Sequence, residues 1–149
     1  MARSLPSLTI VRKINAPPAK VYAAITTPEL MLQWWGPDAG PTLSAEVDVR
    51  AGGRFSIVFR LLNGDEHNPT GVYREVIPDR KLVFTWEWPG MPERESLVTF
   101  LLAPIEGGTE LTMVHEGLPD EEARNSHEQG WSGLLRKLHV FLGDVEWAI

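Results

Sequence analysis

The sequence contains no cysteine, which excludes disulfides and thiolate chemistry and suits a reducing cytosol, so the protein is expected to be cytoplasmic. Positive charge is in deficit: 14 Lys and Arg face 20 Asp and Glu, for a net charge of −6. No basic cluster or stripe stands out, so a nucleic-acid partner is not expected. No apolar run approaches the roughly 18 residues that a membrane span requires. The opening MARSLPS has no signal-peptide core. Histidines at metal-ligand spacing are missing too: His67 falls in a turn region, and His127 and His139 lie about 120° apart around a helix. There is no Gly-x-Ser-x-Gly elbow, and the Gly52-Gly53 and Gly107-Gly108 pairs precede no helix. Neither a metal nor a cofactor is expected.

What is present is an ordinary globular composition, 43% hydrophobic and 23% charged over 149 residues, read as one domain spanning 1–149. Tryptophan is the exception, with six copies against two tyrosines. The organising stretch is Pro119 to Trp147. Trp131, Leu134, Leu135, Leu138, Leu142 and Val145 fall within roughly 60° of one line at about 100° per residue, the signature of an amphipathic helix. Gln129, Arg136, Lys137 and Asp144 fall on the far side. Asp120 is placed to cap the first turn, and Glu121 and Glu122 complement the helix dipole. His127 is the one polar residue on the apolar line.

The preceding text reads as a strand near Ser7–Asn15 and two short helices, KVYAAIT and LMLQWWG. Prolines at Pro17-Pro18 and Pro28 suit first helical turns, and Thr27 suits an N-cap. About six strands follow between Pro41 and Glu116, separated by turn signals such as Asn63-Gly64-Asp65 and Pro89-Gly90. Phe55, Ile57 and Phe59 share a face. So do Leu82, Phe84, Trp86 and Trp88, and likewise Leu111, Met113 and His115. Short loops between neighbouring strands imply an antiparallel meander. The class is α+β, with a curved antiparallel sheet of about seven strands and one long C-terminal helix to cover it. One helix cannot cover a strongly bent sheet across its whole width, so aromatics there either fill the space or line a pocket.

These elements resemble the SRPBCC superfamily (START and birch-allergen-like, helix-grip), in its branch related to the C-terminal domain of the activator of the heat-shock-protein-ninety ATPase. The residues that carry the likeness are AP…KVYAAIT…PELMLQWWGP, the GGRF turn, GVYREVIPDRKLVFTWEW, LVTFLLAPIEGGTELTMVHEGLP and HEQGWSGLLRKL. The resemblance implies a helix-grip fold with a cavity between sheet and long helix. It implies no single reaction, because the superfamily includes carriers, receptors, cyclases and co-chaperone domains.

The candidate ligand-binding set is Trp34, Trp35, Phe55, Phe59, Tyr73, Phe84, Trp86, Trp88, Met113, His115, His127, Trp131 and Leu135. Each has a plainer alternative. Trp34-Trp35-Gly36-Pro37 either seals the core or forms a lip over a cavity mouth. Phe84, Trp86 and Trp88 either fill a bent sheet or make an aromatic wall. His115 and His127 are either hydrogen-bonded core residues or groups that orient a ligand or move a proton, with Tyr73 as a third member if it faces inward. The expectation is a soluble binder enclosing a small hydrophobic or aromatic molecule. The alternatives are a cyclase, dehydratase or hydrolase on the same fold, and a domain with a chaperone partner. Oligomeric state is not legible in the sequence.

Overall fold

Leu8, Ile10 and Ile14 are buried along an alternating first strand, and the computed structural model, which describes residues 5–36 and 40–143, builds outward from it. The order is β1 (Leu8–Ile14), α1 (Pro18–Thr26), α2 (Pro28–Trp34), β2 (Thr42–Val47), β3 (Arg54–Arg60), β4 (Glu66–His67), β5 (Thr70–Ile77), β6 (Lys81–Trp88), β7 (Met91–Ile105), β8 (Gly108–Glu116) and α3 (Glu121–Gly143). This is an α+β, helix-grip architecture. Seven strands run β1-β8-β7-β6-β5-β3-β2, all antiparallel to their neighbours, and the short β4 pairs with β3 off that path. The two short helices carry the chain from one sheet edge to the other.

Curvature comes from irregular register. The ladder shifts between Thr42 and Ser44, between Tyr73 and Glu75, and between Trp86 and Trp88. Such shifts bend a strand and increase its twist. Gly71 lies where the bent layers crowd: a Cβ there would collide with the Thr85 carbonyl and the Phe55 ring. At the β6–β7 hairpin Trp88 pairs with Met91, so Pro89 and Gly90 form the turn, and Gly90 takes φ 87°, which glycine adopts without strain.

The long helix starts as its sequence dictates. The Ala123 N–H donates to Asp120 Oδ1 at 2.7 Å, and Glu121 and Glu122 occupy the first turn. Trp131, Leu134, Leu135, Leu138 and Leu142 are all buried against the sheet, while Val145, Asp144 and Trp147 lie outside the described residues. At α2, Thr27 occupies the N-cap but its side chain makes no capping bond; its carbonyl accepts from Leu30 and Met31 N–H instead.

Three expectations are corrected. His67 belongs to the two-residue strand β4, opposite Phe59, rather than to a turn. Strand β7 starts at Met91, several residues earlier than its hydrophobic pattern implies. Lys137 is not on an open far side: its Nζ donates to the Trp35 carbonyl at 3.2 Å. That carbonyl also accepts from Thr42 Oγ1 at 2.6 Å, so the end of α2 is tied to both β2 and α3.

These contacts set an order of sensitivity along α3. Leu138→Ala should cost about 2–5 kcal/mol, the range for truncating a fully buried leucine. Arg136→Ala, on the exposed side, should cost under about 0.5 kcal/mol. Urea unfolding reads both, and equal midpoints would place the wrong face of α3 against the sheet.

Candidate functional site

Beside the irregular β6–β7 stretch, α3 and strands β3, β4, β6 and β7 line an open cavity of about 540 Å³. Its inner wall carries Trp35, Phe59, Trp86, Trp131 and Leu134, all buried. Trp88 and His127, half-buried, continue it toward a rim with the exposed Glu66, Met91, Arg94 and Ser126. The surface is dominated by indoles. Trp86 and Trp131 stand 5.1 Å apart by ring centroid, Trp86 and Trp88 5.7 Å, and Trp35 and Trp131 6.3 Å.

Two histidines meet at this wall with ring centroids 4.9 Å apart, and they differ in their partners. Behind the wall His115 is fully buried on β8. Trp131 Nε1 donates to His115 Nδ1 at 2.9 Å. An indole N–H can only donate, so Nδ1 holds a lone pair and the neutral ring carries its proton on Nε2. Nε2 then donates to Ser96 Oγ at 2.6 Å, and Ser96 points on to the Trp86 carbonyl at 3.5 Å. Burial, assisted by the neighbouring His127, pushes the His115 pKa down to about 3.

His127 is arranged the other way. Its Nδ1 lies 2.7 Å from the Ala123 carbonyl, which can only accept, so Nδ1 carries the proton. In the neutral ring Nε2 therefore offers a lone pair, and it is buried without a protein partner. Burial lowers the His127 pKa, the bond to Ala123 opposes that shift, and the positive charge of Arg94 adds to it. Among the described residues two other buried side-chain atoms lack a partner, Trp35 Nε1 and Trp86 Nε1. All three belong to residues of the cavity wall.

The family described as "Activator of Hsp90 ATPase homolog 1-like protein" matches residues 15–143. The chain belongs to that family. Solved structures agree in shape. A member from Silicibacter pomeroyi is 29% identical, with a TM-score of 0.80 over 93% of this chain and 98% of that one. A protein from Chromobacterium violaceum is 27% identical, with a TM-score of 0.80 over 91% and 96%. A protein from Aeromonas hydrophila, described as like this family, shares 20% identity and a TM-score of 0.82 over 93% of each chain, a likeness of fold alone. No curated protein matches. Among the described residues no helix is long and apolar enough to cross a membrane.

In this Activator of Hsp90 ATPase homolog 1-like chain, six of the residues singled out from sequence meet on the cavity wall: Trp35, Phe59, Trp86, Trp88, His127 and Trp131. The other seven do not. Phe55, Tyr73 and Phe84 pack together at the far end of the bent sheet, around a residual space of about 10 Å³, too small for a ligand. Burial pushes the Tyr73 hydroxyl pKa upward, and Tyr73 stands with phenylalanines rather than with the histidines. Met113 and Leu135 are core. Trp34 is core as well, its Nε1 donating to the Ala24 carbonyl at 3.0 Å. His115 stands behind Trp131.

Sequence reasoning missed the rim, notably His67, Met91 and Arg94. A signal for His67 existed. Asn63-Gly64 is a hairpin dipeptide, and folding back there sets Glu66 and His67 against Arg60 and Phe59. His67 then packs between Phe59, tilted at 5.6 Å, and Trp88, edge-on at 5.9 Å.

The buried His115 makes stability pH-dependent. An unfolded histidine titrates near 6.5, so between about pH 6.5 and 3 the unfolded chain binds a proton that folded His115 refuses. Stability is full above that window and falls on acidification, at up to about 1.4 kcal/mol per pH unit. From pH 7 to 5 the loss should be about 2 kcal/mol by urea unfolding. His115→Asn, which keeps an acceptor for Trp131, should lose distinctly less. A wild type equally stable at both pH values would contradict the assigned tautomer and burial.

Proposed function

We propose that this chain binds a small hydrophobic or aromatic molecule in the cavity between the sheet and α3. The observation that carries this reading is the coincidence of an indole-lined space of about 540 Å³ with every buried, partnerless side-chain polar atom among the described residues. Pockets of about 300–1,000 Å³ with apolar walls and a few convergent polar groups are the usual form of small-molecule sites. Two indole N–H groups and one imidazole lone pair lie just under this wall, where a molecule that displaces the covering side chains would meet them. Leaving each unpaired costs about 1–3 kcal/mol, which a ligand with matching groups recovers. The family contributes a fold suited to ligand binding or regulation, and the ligand itself is selected by side chains.

A second reading rests on His127 alone. An imidazole fixed through Nδ1–H to a carbonyl, with Nε2 free, is also the arrangement of a general base. The two readings separate in one experiment. A panel of lipids, flavonoids and polyketide-like aromatics should raise the melting temperature by roughly RT ln(1 + [L]/Kd) in stability and change tryptophan emission. With any ligand found, His127→Gln should alter affinity only a few-fold in a binder. In an enzyme it should spare binding and cut turnover by about 10²–10⁴. A panel with no thermal or fluorescence response would remove both readings.

A further inference from the structure

The cavity has a polar end whose charges do not balance. Of its two charged side chains, Glu66 is already committed, its carboxylate 3.0 Å from the Arg60 guanidinium. Arg94 pairs with no carboxylate among the described residues. It sits on β7 between Met91, opposite Trp88, and Ser96, opposite Trp86, along the irregular stretch that opens the cavity. The other unmatched group is His127 Nε2.

The surroundings of His127 leave Arg94 as its unneutralised neighbour. From β8 comes His115, 4.9 Å away by ring centroid and neutral. From β6 comes uncharged Trp88 at 6.0 Å, with His67 of β4 on the other side of that indole. On α3 itself Arg124 and Glu128 pair with each other at 3.0 Å. Burial, opposed by the bond to Ala123 and helped by Arg94, lowers the His127 pKa from its ordinary value, so the ring is neutral near pH 7. A cation without a carboxylate partner among the described residues, and a histidine whose covered Nε2 has no donor, therefore stand at one end of a pocket whose remainder is indole. An apolar amide or alcohol answers the lone pair but leaves the guanidinium unmatched. An oxygen acid answers both.

Resting on the binding reading above, we propose that the cavity takes an apolar carboxylic acid, its hydrocarbon or aromatic body against Trp35, Trp86, Trp88 and Trp131 and its carboxyl group between Arg94 and His127. The proton balance follows. In solution near pH 7 the acid is an anion and His127 is neutral, so neither supplies a proton to the Nε2···O contact. Binding draws one proton from solvent into that contact, whichever end holds it, and the guanidinium offsets the carboxylate charge. Affinity for the acid therefore falls as pH rises above neutrality, while affinity for an uncharged analogue does not.

Isothermal titration calorimetry with 2-naphthylacetic acid and its primary amide, 2-naphthylacetamide, tests this at pH 7 in phosphate and in Tris buffer. The acid should bind at least about tenfold tighter than the amide, as expected when an unmatched guanidinium gains an anion. It should take up close to one proton, read from the difference between buffers, and the amide none. Arg94→Gln should erase the preference for the acid, with an unchanged urea midpoint as the check on folding. His127→Gln should abolish the proton uptake. Equal binding of acid and amide, or a preference that survives Arg94→Gln, would overturn the proposal and leave the cavity reading intact. Failure of both probes to bind would overturn the proposal, and the panel above then decides whether the cavity reading falls with it.

Discussion

The hydrogen bond from Trp131 to His115 is the contact on which the arrangement of helix and sheet turns. It fixes α3 to β8, and His115 carries the connection on to Ser96 of β7. Both nitrogens of a fully buried imidazole must be satisfied, and here one donor and one acceptor do so with no charge involved. The bond also divides the interior. On one side Trp131 packs edge-on against Phe100, and the leucines of α3 close the core. On the other, its ring is part of the cavity wall. A helix free to roll about its axis would exchange one side for the other; the indole–imidazole bond sets the rotation.

The long helix, the strands and most turns were legible because they rest on short-range periodicity and on Pro, Gly and Asn at turns. The division between core and cavity was not. Phe84 and Trp88 alternate onto the same face of one strand, yet Phe84 packs in the filled end and Trp88 stands on the cavity wall. The division falls between Phe84 and Trp86, and it depends on which part of the bent sheet α3 covers, which alternation along one strand does not reveal. Lys137 shows a related limit. Angular position on a helix puts it outward, but a lysine stem is long enough to bring its ammonium to a carbonyl on a neighbouring element. Arg94 was invisible for a third reason: what marks it is the lack of a carboxylate partner among the described residues, and ion pairing is a property of the assembled surface.

Among relatives of 20–29% identity the backbone still superposes with TM-scores near 0.8. A bent sheet gripping one helix tolerates much replacement of side chains, provided that the bend and the helix contact survive. The same tolerance separates fold from ligand. In this chain the wall is made of indoles and its polar end of an arginine and a histidine. The family therefore accounts for the existence of a cavity-forming architecture, and the local chemistry accounts for what would enter it.

The first strand has its partner at the far end of the sheet sequence: Leu8 lies opposite His115, and Ile14 opposite Thr109. During synthesis β1 leaves the ribosome before every strand between it and β8 has been made. Its inner face, with Leu8, Ile10 and Ile14, has no sheet to join until the penultimate element is complete. Closing so long a loop is entropically slow, and an unpaired apolar strand is prone to pair wrongly while it waits. The charged Arg12 and Lys13 on that strand give it some protection from association. The bond from α3 to His115 can form only once β8 is in place. Because Trp131 belongs both to the core and to the cavity wall, the docking of α3 closes the two together.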